Sequence, residues 1–404
     1  MKRLFLFTFL ILFMVNAGMA CTTVVISGKF TNDGRPLLWK QRDSDSFNNK
    51  IVHLEGGKYH AVALVDSYDN EPENIWIGFN SAGFAIMNSA SYNLKGDDTT
   101  KISDLEGVFM KKALLACATV DEFEEFIRNY PKPMGLEANF GVIDAKGGAA
   151  YFETDNFKYT KIDANDQRIA PHGYVIHTNY SFTGEPSEGA GYIRYETAEQ
   201  LFYKASAQQN LSVDYIINNM MTSLENSLTG ESLEEAITQS GQVSHFMYNQ
   251  DCINRYSSVS SVVIQGVLPD ENPEYTIMWS KLGFPLSAIV VPVLLSKSGS
   301  LPGVVTAPGA ENALACNKSL LLKKVMIPIH RGSGKYYIDL TKVANAEKTG
   351  VLQLITPVNI DIINQTKEKM KQWRSKAPDP KEFGLFNDWL DQKVISSYQN
   401  LFGI

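Results

Sequence analysis

With 404 residues, the chain is long enough for one large decorated domain or for two. Its net charge of −7 provides no basic footprint, which excludes the usual nucleic-acid partner. An apolar fraction of 44% and a charged fraction of 20% are those of an ordinary globular protein. The chain opens with Lys2 and Arg3, then an apolar run over residues 4–15, then Gly18-Met19-Ala20. A basic start, a short apolar stretch and a small-x-small junction predict a signal peptide over residues 1–20, removed after Ala20. The run is too short for a membrane span, which needs about 20 apolar residues. Cleavage there exports the protein to the periplasm or the medium, makes Cys21 its first residue and leaves its charge balance more acidic. The competing reading, a lipoprotein signal that acylates Cys21 and anchors a non-catalytic binding protein, wants leucine where Gly18 stands.

The β-branched run Cys21-Thr-Thr-Val-Val-Ile reads as a buried strand, with a turn at Asn32-Asp33-Gly34 and a returning strand from Pro36 to Arg42. Strand character recurs over 59–65, 75–79 and 83–89. Residues 103–129 read as helical, and 140–143, 149–153 and 174–178 return to strand. A long helical stretch is expected over 194–225 and a short one near 233–240, followed by strands at 257–264 and 275–278. Strands, then helices, then strands again predict layered sheets with helices outside. The polar, helical tail is broken by Pro378-Asp379-Pro380, and residues 351–404 read as a helical extension to a main domain over 21–350.

Cys21 is one of four cysteines, with Cys117, Cys252 and Cys316; pairing between the last two stays open. Cys117 reads as a buried helix residue. The sequence has neither a Cys-x-x-Cys nor a His-Glu-x-x-His pattern, so a zinc site has no support. His330-Arg-Gly-Ser-Gly-Lys335 lacks the first glycine of a phosphate loop and the Ser/Thr after its lysine, and there is no Gly-x-Ser-x-Gly elbow.

An N-terminal cysteine carries both a thiol and a free α-amine. Cys21-Thr-Thr, followed by Arg42-Asp43-Ser44-Asp45, resembles the opening of the cysteine-type N-terminal-nucleophile hydrolases. By motif the chain is similar to choloylglycine hydrolases, penicillin V acylases and acyl-coenzyme A:6-aminopenicillanic acid acyltransferases. Gly78-Phe-Asn-Ser-Ala-Gly-Phe-Ala-Ile-Met-Asn88, His177-Thr-Asn179-Tyr and Asn254-Arg255-Tyr-Ser-Ser resemble later motifs of the same group, in the same order. The resemblance runs from Cys21 to about residue 300.

It implies an α+β, four-layer αββα fold and an amidase acting on linear amides, with no cofactor and no metal. Cys21 would be the nucleophile and its α-amine the base. Arg42 would stabilise the thiolate, Asp45 would orient the amine, Asn179 and the Asn88 segment would supply oxyanion donors, and Arg255 would hold the site together or steady charge. Singly, each of these residues is ordinary: an ion pair, a turn asparagine, an exposed arginine. His177 invites a Cys–His pairing, but on a strand it reads rather as a pocket-lining neighbour of Asn179. Phe47, Tyr92, Tyr180, Phe182, Phe246 and Tyr256 are candidates to receive an apolar acyl group. The expected partner is a small N-acyl amide, with acyl transfer to an amine as the rival reaction and self-association left open.

Overall fold

The computed structural model describes residues 20–404 apart from 69–71, 101, 235–236, 238–243, 297–298 and 310. The leader expected over residues 1–20 therefore lies outside the described residues except for Ala20, and so does most of the short helix expected near 233–240.

Fifteen strands are described. β1 (Cys21–Ile26) and β2 (Leu37–Asp43) form the expected hairpin, and β3 (Asn49–Leu54), β4 (Ala61–Asp66), β5 (Ile77–Asn80) and β6 (Ala85–Ala90) follow it. β7 (Ala138–Ile143), β8 (Ala149–Thr154), β9 (Tyr159–Asp163) and β10 (Tyr174–His177) come after a helical interruption. The rest are β11 (Phe246–Tyr248), β12 (Ser258–Gln265), β13 (Ile277–Leu282), β14 (Val291–Leu294) and β15 (Tyr337–Asp339). They form a six-stranded sheet ordered β10-β1-β2-β12-β13-β14, a seven-stranded meander from β3 to β9, and a small β11–β15 pair. Every described pairing in the two large sheets is antiparallel.

The two large sheets stack face to face. Alternation along β1 sends Thr23 and Val25 toward the meander and Thr22 and Val24 away from it. Tyr151 on β8 donates its hydroxyl to Thr23 Oγ1 at 2.9 Å across the gap. Gly141 on β7 lets the sheets come this close: a Cβ there would lie 2.7 Å from Met87 Cε and 3.0 Å from Val25 Cγ2.

Helices α1 (Glu106–Ala116) and α2 (Val120–Asn129) cover the meander's outer face. The helical stretch expected over 103–129 is thus two helices. Thr119 caps the second by accepting from Glu122 N, which forces extended backbone between them. Phe109, Phe123, Phe140 and Phe152 fill the layer below. The six-stranded sheet is covered by α3 (Tyr192–Ala207), α4 (Leu314–Met326), α5 (Val351–Ser375) and α6 (Pro380–Phe402). The helix expected over 194–225 stops at Ala207, and beyond it come a short turn, Val213–Tyr215, and a π-helical segment, Ile216–Met220.

The C-terminal extension is helical on both sides of its proline break. Asp379 and Glu382 form a capping box, and Pro380 occupies the first turn of α6. Its inner face joins the main core through Ile362, Met370, Leu390 and Tyr398. The Tyr398 hydroxyl donates to Ser287 O and accepts from Ile289 N, both at 3.0 Å, while Asn359 Oδ1 accepts from Val290 N at 2.9 Å. The order across the molecule is helices, sheet, sheet, helices: four layers. Among the described residues no helix is long and apolar enough to cross a membrane.

Candidate active site

Cys21 is the first residue of β1 and is paired directly with Arg42 on β2; Thr23 is paired with Lys40. Directly opposed residues of an antiparallel pair share a face, so the thiol, Lys40 and Arg42 sit side by side between the sheets. All three are buried. Lys40 Nζ donates to the carbonyl and the side-chain oxygen of Asn88 on β6, both at 2.7 Å. The same ammonium lies on the face of the hairpin that carries the thiol. Burial pulls Lys40 down to about 8, opposed by the charge of Cys21 and helped by that of Arg42. Arg42 directs Nη2 to both oxygens of Asp66, at 2.9 and 3.1 Å, and lies 4.3 Å above the Trp76 ring. Its Nε and Nη1 have no partner among the described residues.

The main chain of Cys21 is held from the opposite side. Its nitrogen, a peptide N–H while Ala20 is attached, donates to Asn179 Oδ1 at 3.0 Å. Arg194, in the first turn of α3, donates to the same oxygen at 2.8 Å, to the Cys21 carbonyl at 2.6 Å and to Thr22 Oγ1 at 2.9 Å. Burial pulls Arg194 down to about 9, with Arg255 adding to the effect and Asp43 and Cys21 opposing it. Gly191, at φ 89°, makes this grip sterically feasible, because a Cβ there would lie 2.4 Å from Arg194 Nη2. Asn179 is fixed by paired 3.1 Å backbone bonds with Ala190, and its Nδ2 donates to Ala90 O at 3.0 Å. The carbonyl end of the Asn179 amide therefore faces Cys21, and the residue orients the cysteine nitrogen in this arrangement.

At the end of β2, Asp43 is buried; its Oδ2 receives Arg255 Nε at 2.8 Å and its Oδ1 receives the Ser258 hydroxyl at 2.6 Å. Asp45 lies past the strand end, exposed, and makes no hydrogen bond or ion pair among the described residues. The cysteine nitrogen, which Asp45 was expected to orient as a free amine, contacts Asn179 here and not Asp45. The carboxylate that the strand end buries is two residues earlier, because the inward and outward alternation that places side chains stops with the strand.

A cavity of about 790 Å³ opens on this end of the sheets, lined by Ala20, Asp45, Tyr92, Arg194, Arg255 and Tyr256 among others. It thus collects Arg255 and Asp45 beside the residue that precedes the thiol. Of the six aromatics considered for an acyl group, Tyr92 and Tyr256 line it. Phe47 packs edge-on behind Tyr256, while Tyr180 and Phe182 pack with Tyr195, and Tyr180 stacks 4.3 Å from the lining residue Tyr192.

His177 is paired with Thr23, one step inward from the thiol, between the rings of Tyr151 and Phe182. Burial pulls it down to about 3, so it is neutral, and although Nε2 lies 3.4 Å from Glu153 Oε1, neither ring nitrogen makes a well-formed hydrogen bond. It is a core residue. All four cysteines are buried and unpaired, Cys252 and Cys316 included.

Sequence reasoning passes over Lys40, Asp43 and Arg194. The first has a legible signal: Lys40 and Arg42 alternate on a strand that is otherwise apolar or amide up to its last residue, Asp43, so two cations share one face with Cys21 opposite. Arg194 has none, since it lies far along the chain in a helix of ordinary composition.

Among solved structures, the fold is similar to a mutant conjugated bile acid hydrolase from Clostridium perfringens, at 13% identity over 69% of this chain and 93% of that one, with a TM-score of 0.38. It is also similar to a Caenorhabditis elegans ortholog of N-acylethanolamine-hydrolyzing acid amidase, at 14% identity over 62% and 94%, TM-score 0.38. Penicillin V acylase from Agrobacterium tumefaciens matches at 15% identity over 69% and 86%, TM-score 0.35. No protein-family model and no curated protein matches the sequence.

Proposed function

We propose that the protein is an exported cysteine hydrolase of the N-terminal-nucleophile type that cleaves linear amide C–N bonds in N-acylated small molecules. The observation that carries this reading is convergence on one residue: Asn179 holds the Cys21 nitrogen at 3.0 Å, while Lys40 stands at its thiol. A structural cysteine needs neither contact.

In this mechanism, cleavage after Ala20 turns the Cys21 nitrogen into a free amine and removes a residue that lines the cavity. An α-amine titrates near 7.7–8.0, close to a free thiol near 8.5, so it accepts the thiol proton with little penalty. Lys40 and Arg42 stabilise the resulting thiolate. The thiolate attacks the amide carbon, the carbonyl electrons move to oxygen, and Asn88 is the candidate donor to that oxyanion because its own Oδ1 is taken by Lys40. Collapse breaks the C–N bond, and the α-ammonium returns its proton to the departing amine. Water, deprotonated by the same α-amine, then cleaves the thioester to a carboxylic acid and regenerates Cys21.

The test is acid quenching of protein beginning at Cys21 during turnover of N-phenylacetyl, N-decanoyl and N-acetyl amides, followed by peptide mass analysis. An acyl adduct on the Cys21 peptide, absent from Cys21→Ala, is expected; equal hydrolysis by Cys21→Ala would overturn the reading. Adding hydroxylamine separates hydrolysis from acyl transfer, since an acyltransferase diverts the thioester to the amine in preference to water.

A further inference from the structure

The last quarter of the chain, beyond the reach of the sequence resemblance, sends a buried cation to the back of this cavity. Lys323 on α4 is buried, and its ammonium donates to the carbonyl of Tyr256. Three rings surround it, Phe47 at 4.0 Å, Tyr256 at 4.4 Å and Phe284 at 5.2 Å from nitrogen to centroid. No carboxylate of the described residues lies within ion-pair distance of it. Burial pulls Lys323 down to about 7, with Asp43 and Cys316 opposing. A lone ammonium in such a place is costly unless its contacts hold something in place.

What it holds is the turn that serves the site. Arg255 is paired with Asp43, Tyr256 lines the cavity, and Ser258 bonds Asp43 from the same turn. A second cation, Lys335, lies 5.4 Å from the centroid of the Tyr256 ring and also lines the cavity. Tyr256 therefore meets two lysines that both come from beyond residue 320, and Phe47, on the loop after β2, packs against it at 5.5 Å.

We propose that Lys323 is a positioning residue: its ammonium, bonded to the Tyr256 carbonyl and caged by Phe47, Tyr256 and Phe284, sets the Arg255–Tyr256 turn against Asp43 and the substrate cavity. The hold on the turn stands on geometry alone; its consequence for turnover rests on the amidase reading above. A displaced Tyr256 changes how substrate sits, so the effect falls on KM more than on kcat.

The experiment compares wild type, Lys323→Met and Lys323→Arg by hydrogen exchange of the amides of residues 253–258 and by kcat and KM on an amide the wild type cleaves. Methionine keeps the length and packs well against aromatic rings, so the fold is retained. Faster exchange in the turn with Lys323→Met, a KM raised between about tenfold and a hundredfold, and partial recovery of both with Lys323→Arg are expected. Unchanged exchange in Lys323→Met overturns the positioning role whatever the protein's activity. Faster exchange with an unchanged KM overturns the link to the cavity. A wild type that cleaves no amide overturns the amidase reading and the KM effect with it, while the exchange comparison still decides whether Lys323 holds the turn.

Discussion

The two faces of the seven-stranded sheet border interiors of opposite character. Outside, beneath α1 and α2, Phe109 packs 4.9 Å from Phe140, and Phe123 packs 5.1 Å from Phe152, in an aromatic and aliphatic cluster that also takes in the buried thiol of Cys117. Inside, at the end where β1 begins, Lys40, Arg42 and Asn88 are buried together, and Asp43, Asn179 and Arg194 are buried at the same end. The first interior gains free energy from burial at roughly 25 cal/mol per Å² of apolar surface. The second spends part of that gain on desolvation, which is why Lys40 falls to about 8 and Arg194 to about 9. One layer is apolar and holds the fold, and the other holds charges beside a thiol.

Substitutions should separate these two roles. The largest effect on stability is expected from Phe123→Ala, which empties the centre of the aromatic layer and lowers unfolding free energy by about 3–5 kcal/mol. Denaturant titration measures that loss, and kcat/KM at 10 °C should stay at the wild-type value; a parallel fall in activity would mean that the layers are not independent. Next comes Lys40→Met, with kcat/KM about a hundredfold lower and a smaller change in stability. Its pH dependence has a definite sign. Lys40 is charged below about 8 and neutral above it, so its support for the thiolate fades as pH rises through that value. Lys40→Arg, charged throughout, should therefore keep its activity further into the alkaline range, and superimposable alkaline limbs would remove Lys40 from the mechanism. The smallest effect is expected from Asp45→Asn: exposed and unbonded, it should shift stability by less than about 0.5 kcal/mol and leave kcat/KM within about twofold. Asp43→Asn, which strips Arg255 of its buried counter-charge, should be the damaging member of that pair in both assays.

Much of the architecture was legible from local chemistry. The β1–β2 hairpin, both strands of the 83–89 and 174–178 regions and the helical tail follow from β-branched runs, turn residues and apolar periodicity, which are short-range signals. Boundaries were misread where a cap decides them. Thr119 splits one apparent helix into two, and the helix from Tyr192 ends at Ala207 although its sequence pattern runs on. Strands such as β3 and β14 were passed over because Asn49-Lys50 and Pro292 weaken their pattern, and only neighbours in the sheet make them strands.

The sequence alone determined the order and chemical type of the groups: a cysteine opening a strand, cations two residues apart on its partner strand, and asparagines and an arginine much later. It could not determine which carboxylate is buried, because Asp43 and Asp45 differ only in which side of a strand end they occupy. Tertiary structure decided that, and it decided which groups reach Cys21. Arg194 and Asn179 lie more than 150 residues away in sequence and arrive through sheet pairing and the start of α3. Local propensity acts over a few residues, whereas a site is assembled by the long-range packing of whole elements, and that information appears only once the layers have closed.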